Sequence, residues 1–167
     1  KILDYAKLSI GLVILSSGIP FIHAGQELLR TKKMIDNSYN LNDDVNGIDW
    51  YRDLNMVDSV KSLIRIRKQY LEFRLSDLSE IDKKIKLDTS FDLPIIRIKT
   101  INGDTLQLII SNSYETYTKF LVPGSVLIYD GSTETSKYID KLIINKPGVY
   151  IIKKWGNKNA SLRRSNC

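Results

Sequence analysis

Cysteine and histidine are nearly missing from this chain of 167 residues, which has one of each, Cys167 at the last position and His23 near the start. A single Cys excludes an internal disulfide framework and any multi-cysteine metal site, and a single His excludes a histidine-rich metal centre. Most of the chain separates the two, so no Cys–His nucleophile–base set is read, and nothing calls for a metal or a cofactor. Proline is scarce at four and glycine moderate at nine, which excludes collagen-like repeats. Long apolar runs are missing too. The longest, Ile10 to Leu15, has Gly11 inside it and falls far short of the roughly 18 residues of a membrane span. No signal-peptide pattern follows Lys1, and that start reads as a fragment or a processed product. What is present is an ordinary globular balance, 43% hydrophobic and 26% charged, with enough apolar material for a real core.

The net charge of +6 is local. Lys153, Lys154, Lys158, Arg163 and Arg164 occupy residues 153–167, where no acid stands. Taking these five from the 25 Lys and Arg leaves 20 cations against 19 acids over 1–152. A basic body would be the footprint of a nucleic-acid binder, and the counts place the excess in a tail instead. Neither nucleic acid nor a membrane is read as a partner.

Periodicity divides the chain near residue 76. Ile2, Leu3, Tyr5, Ala6, Leu8, Leu12, Val13 and Leu15 predict a largely buried helix, with Gly18 as its stop and Pro20 beyond. Ile19 to Ala24 reads as a short strand buried on both faces. Residues 25–55 read as a long polar loop, a length usually reserved for function or disorder. A second helix is predicted from Val57 to Leu71, with Val57, Val60, Leu63, Ile64 and Leu71 on its apolar side. The rest reads as strands: Ile95–Thr100, Thr105–Ile110, Tyr117–Val122, Val126–Tyr129, Lys141–Ile144 and Val149–Lys153. Asn102-Gly103 is a hairpin signal, and Pro123-Gly124, Asp130-Gly131-Ser132 and Pro147-Gly148 supply turn chemistry. Short strands at this spacing suggest an antiparallel sandwich, with the boundary between Arg74 and Leu87.

Candidate chemistry gathers around the long loop. His23 lies in the strand pattern and reads as a hydrogen-bonded core histidine. Gln26 and Glu27 stand just after that strand, where α/β proteins place ligand contacts; Glu27 could equally be bound to loop backbone. Asp43, Asp44 and Asp49 read as solvated or turn-forming, because adjacent carboxylates diverge and a glycosidase pair needs a separation of about 5 Å or more. Asn37, Ser38, Tyr39 and Asn40 combine amides, hydroxyls and a ring, a mixture that suits a sugar and also ordinary turns. Trp50 reads as a packing residue closing the loop onto the body. Arg30 could grip a carboxylate or donate to substrate hydroxyls.

Together these residues carry a resemblance. Gly18-Ile19-Pro20-Phe21-Ile22-His23-Ala24-Gly25-Gln26-Glu27, Leu29-Arg30-Thr31-Lys32, Asn37-Ser38-Tyr39-Asn40, and Asn46 with Asp49-Trp50 resemble type I pullulanases of glycoside hydrolase family 13, the α-amylase family. Leu63-Ile64, Arg67-Lys68 and Phe73-Arg74 resemble that family's last barrel helix, with Leu71 where a Pro is usual. Lys33 to Asp36 departs from the common wording. The resemblance implies an α/β plus all-β fold. Residues 1–76 would be the end of a (β/α)8 barrel, 77–155 a C-terminal β-sandwich domain, and 156–167 a basic tail. It implies hydrolysis of α-1,6 branch linkages in pullulan-, starch- or glycogen-type glucans with retention. The catalytic carboxylates would lie on earlier strands, so this chain carries none. The implied partners are an α-glucan and the upstream remainder of the barrel. Arg30, Asn37, Tyr39 and Asn40 would contact substrate, while His23, Gln26, Glu27, Asp49 and Trp50 would shape the loop at the strand end. The alternative is a non-catalytic carbohydrate-binding or structural β-sandwich fragment.

Overall fold

A computed structural model describes residues 1–156. The expected basic tail, 156–167, therefore lies outside the described residues from 157 onward.

Helix α1 spans Ile2–Leu15 and buries Leu8, Ile10, Gly11, Ile14 and Leu15. It ends where Ser16 turns extended and Gly18 adopts a φ of 84°, the left-handed conformation that glycine takes without a Cβ penalty. The α2 turn, Asp43–Asn46, lies in the long loop. Helix α3 spans Leu54–Gln69, opened by Asp53, whose carboxylate accepts from the Met56 N–H at 2.8 Å. Its buried stripe is Met56, Val60, Leu63, Ile66 and Arg67. The predicted stripe was rotated: Val57 is only half-buried and Ile64 is exposed. The rotation follows from Arg67, a charge the pattern could not place inside. Its guanidinium donates to the carbonyls of Ile14 at 2.8 Å, Ser16 at 2.7 Å and Gly18, closing the unsatisfied end of α1. Helix α4, Leu78–Lys84, occupies the predicted boundary segment, with Asp77 as its N-cap.

Ile19–Ala24 is not a strand. The segment runs without regular structure, Ile19 is 98% and Phe21 86% exposed, and His23 is exposed rather than a core residue. A strand needs a neighbour to take its N–H and C=O groups. Among the described residues, every strand pairs elsewhere.

Among the described residues eight strands follow: β1 Ile85–Asp88, β2 Ile95–Lys99, β3 Thr105–Ser111, β4 Tyr117–Phe120, β5 Val126–Asp130, β6 Glu134–Tyr138, β7 Lys141–Ile144 and β8 Gly148–Lys154. All pairings are antiparallel, in a six-stranded sheet ordered β1-β2-β3-β8-β5-β6 and a two-stranded sheet β4-β7. The two strands that sequence periodicity missed, β1 and β6, are the edges of the large sheet. Their mostly exposed side chains leave little apolar alternation to read.

The large sheet is covered on both faces. Ile98, Leu106, Leu108, Val126, Val149 and Ile151 pack with Leu8, Ile10 and Ile14 of α1 and Val60, Leu63 and Ile66 of α3. On the opposite face, Ile95, Ile109, Tyr150 and Ile152 pack against Leu142 and Ile144 of β7. A bulge between Leu127 and Tyr129 turns Ile128 and Tyr129 both toward the helices. Polar ties also cross residue 76. Tyr114 Oη donates to Asp4 at 2.8 Å, Arg65 pairs with Glu134 at 2.8 Å, and the buried Glu72 accepts from the Ile101 N–H at 2.7 Å.

Candidate functional site

The long loop, 25–53, is built from its own side chains. At its start Gly25 has a φ of 87°, and its carbonyl accepts from the N–H groups of Leu28 at 3.0 Å and Arg30 at 2.9 Å. The Arg30 side chain lies directly over it: a Cβ at position 25 would stand 2.8 Å from Arg30 Cδ. Glycine here satisfies both the turn and the close approach. Gln26 Oε1 accepts from the His23 N–H at 3.4 Å, fastening the turn to the segment before it. Glu27 is half-buried in this turn.

From that anchor Arg30 reaches across the loop. Nη1 donates to the Ala24 carbonyl at 3.3 Å, Nη2 donates to the Asn46 carbonyl, and Nε is buried with no partner. Asn46 is the matching knot. Its Nδ2 donates to the carbonyls of Ser38 at 2.8 Å and Leu41 at 2.7 Å, while its Oδ1 accepts from Lys32 Nζ at 2.5 Å. One amide thus uses both donors and an acceptor, tying the 38–41 turn to Lys32. Sequence reasoning placed Asn46 in the shared motif but gave it no role; its spacing before Asp49-Trp50 was the available signal.

Two turns complete the frame. Asn37 Oδ1 accepts from the Tyr39 N–H at 3.2 Å, and Asp49 Oδ1 accepts from the Tyr51 N–H at 3.0 Å, both side chains mimicking a backbone turn. Lys33 and Met34 carry φ values of 53° and 63°, unfavourable for residues with a Cβ, in the stretch that departs from the family wording.

A cleft of about 310 Å³ opens beside this frame, lined by Arg30, Lys33, Arg52, Asp43, Asp44 and Asp49 among others. Of the four expected substrate contacts, Arg30 lines the cleft, whereas Asn37, Tyr39 and Asn40 lie outside it on exposed loop. Tyr39 is 92% exposed. Trp50 is 64% exposed, so it does not close the loop onto the body as expected; the Arg30–Asn46 network holds the loop without it.

No family model matches the chain. A pullulanase from Bacillus subtilis is 36% identical over 83 residues, covering 48% of this chain and 12% of that protein. The crystal structure of pullulanase type I from the same species, complexed with maltose, superposes with a TM-score of 0.82 at 26% identity, over 91% of this chain and 23% of that one. This chain is built like part of a pullulanase. The pullulanase of an Anoxybacillus species, complexed with maltotetraose, gives a TM-score of 0.80 at 26% identity over 92% of this chain and 23% of its own. The chain therefore spans less than a quarter of the length of these solved pullulanases. The shared part includes both the helical segment and the antiparallel sheets.

Proposed function

We propose that this chain is the C-terminal part of a pullulanase-type glycoside hydrolase that cleaves α-1,6 branch linkages of starch-, glycogen- or pullulan-type glucans. The observation that carries the proposal is the superposition on a maltose-bound pullulanase over 91% of the chain. Residues 1–76 then form the end of a (β/α)8 barrel, 77–155 the β-domain, and 156–167 a basic tail. The unpaired apolar run Ile19–Ala24 supports this division: a barrel strand stripped of its neighbours leaves residues such as Ile19 and Phe21 bare.

In such a barrel the active site lies at the C-terminal ends of the strands, and the loop from Gly25 to Asp53 follows one of them. A retaining glycosidase needs two carboxyl groups about 5–5.5 Å apart, one as nucleophile and one as acid/base. Those groups belong to earlier strands of the intact enzyme. This chain contributes the wall. Tyr39 offers a ring for a sugar's apolar face, Asn37 and Asn40 offer amides to its hydroxyls, and Arg30 lines the cleft. His23, Gln26, Glu27, Asp49 and Trp50 shape the loop. The solved relatives in complex with maltose and maltotetraose support an α-glucan as partner.

Reducing-sugar release from pullulan tests the reading. The intact enzyme, with this chain joined to the rest of its barrel, should hydrolyse pullulan and spare unbranched α-1,4 glucan, and the chain alone should release nothing. Hydrolysis by the purified chain alone, or none by the intact enzyme, overturns it.

A further inference from the structure

The large sheet's second face, the one turned toward β4-β7, is apolar at one end and basic at the other. Cross-strand register fixes which side chains share it. Lys86 pairs with Arg97, Arg97 with Gln107, Gln107 with Ile152, Ile152 with Leu127, and Leu127 with Lys137. In the next row Lys99 pairs with Thr105 and Thr105 with Lys154. Ile152 and Leu127 belong to the core between the two sheets, so Lys86, Arg97, Lys99, Lys137 and Lys154 all rise from the same face. Lys119 comes to meet them from the opposite sheet: its partner in β7 is Leu142, which faces that core.

Two of these cations meet at one ring, and Lys154 rises from the same face. Lys119 Nζ lies 3.9 Å from the centre of the Phe91 ring, and the Arg97 guanidinium lies 5.8 Å from the same centre. Arg97, Lys119 and Lys154 are each half-buried. Acids balance only one of them, Arg97. On this face Asp88 is held by Arg97, at 2.9 and 2.5 Å, and by the Ser90 hydroxyl, while Asp130 caps the turn to β6 through the N–H groups of Ser132 and Thr133. Among the described residues, no carboxylate forms an ion pair with Lys119 or Lys154. Both ammonium groups are pushed below the usual lysine range, Lys119 by burial and by Arg97 against a smaller opposing pull from Asp88, Lys154 by burial, by Lys119 and by Arg97. Like charges so placed destabilise the face unless an anion joins them. Gln107, buried in the row beside Arg97, has a side-chain oxygen that accepts no hydrogen bond.

We propose that the open end of the space between the two sheets, ringed by Arg97, Lys119 and Lys154, binds a phosphate-class oxyanion, either free or carried on a sugar. Charge-assisted hydrogen bonds from a guanidinium and two ammonium groups suit the tetrahedral oxygens of phosphate. A hydroxyl on the same ligand answers the Gln107 oxygen, a need that hydrogen phosphate and a sugar phosphate both meet. The half-burial of all three cations between two sheets favours one small anion over a polyanionic surface.

The test is a ¹H–¹⁵N titration of the full chain with inorganic phosphate and, separately, with glucose 6-phosphate, at constant ionic strength against chloride. Saturable shifts confined to β2, β4 and β8 are expected. Lys119→Gln and Lys154→Gln should each weaken binding about tenfold or more, while Lys141→Gln, an exposed cation on β7, should leave it unchanged. Binding of both ligands assigns the site to the free oxyanion, and binding of the sugar phosphate alone assigns it to the sugar-borne form; either upholds the site. No saturation, an equal response to chloride, or equal weakening by Lys141→Gln overturns it. Lys119→Arg, which keeps the charge, should retain binding even if the neutral variants fold poorly; its failure to bind while folded also overturns the proposal.

Discussion

Arg30 and Asn46 are joined across the long loop, the arginine Nη2 donating to the asparagine's main-chain carbonyl. The same asparagine ties down Ser38, Leu41 and Lys32 through its side chain. The loop's shape therefore depends on an interior polar network and owes little to apolar packing: between Gly25 and Asp53, only Leu28 and Val45 are buried hydrophobic residues.

Replacing Asn46 with Ala removes three side-chain hydrogen bonds at once. Because most of the loop lies outside the two apolar clusters, the loss should stay local. Hydrogen exchange is expected to accelerate across 37–47 in Asn46→Ala, with α1, α3 and the large sheet unchanged. Unchanged exchange in the loop contradicts the stapling role.

Arg67 closes the end of α1 from α3 and is only 8% exposed. Arg67→Met leaves three carbonyls without their donor and should cost about 3 kcal/mol in urea unfolding, given ~1.5–3 kcal/mol for a hydrogen bond to a charged group. Arg67→Lys should recover little, because one ammonium cannot span three acceptors as a planar fork does. A loss below about 0.5 kcal/mol, the level of ordinary surface changes, contradicts the account.

Asp88 supplies a pH prediction. The Ser90 hydroxyl first, then Arg97, hold its carboxyl down at about 2, below the ordinary Asp value near 3.9. Since the folded value is the lower one, the pair's contribution to stability is complete above about pH 3.9 and is lost as pH falls through about 2. Carboxyl ¹³C titration of Asp88 should give a midpoint near 2, and a midpoint near the ordinary value of about 3.9 contradicts the bridge.

The sequence displayed its covered elements and concealed its bare ones. Helix α1 and the central strands were legible because buried faces leave apolar marks, Leu106, Leu108 and Ile151 on the side of the helices, Ile109 and Ile152 on the other. The edge strands β1 and β6 left almost none. Ile19–Ala24 misled for the opposite reason: an apolar run reads as a buried strand, and among the described residues no strand pairs with it. In the loop that carries the motif, Asn37 and Asp49 behave as turn formers. The Asn46 knot was hidden because composition does not say which of many loop amides is turned inward.

The central claim is that this loop forms a wall of an α-glucan cleft, and Tyr39 tests it most directly. Arg30 is a poorer probe, since its loss would also release the loop. Tyr39 is 92% exposed, and its N–H bond to Asn37 survives truncation of the ring. In the intact enzyme, kcat/KM for α-1,6 hydrolysis of pullulan by Tyr39→Ala is the decisive measurement, read beside the thermal midpoint. A fall of about tenfold, ~1.4 kcal/mol of transition-state stabilisation, with the midpoint unmoved is the predicted result. An unchanged kcat/KM, or a fall that only tracks the folded fraction, contradicts the claim.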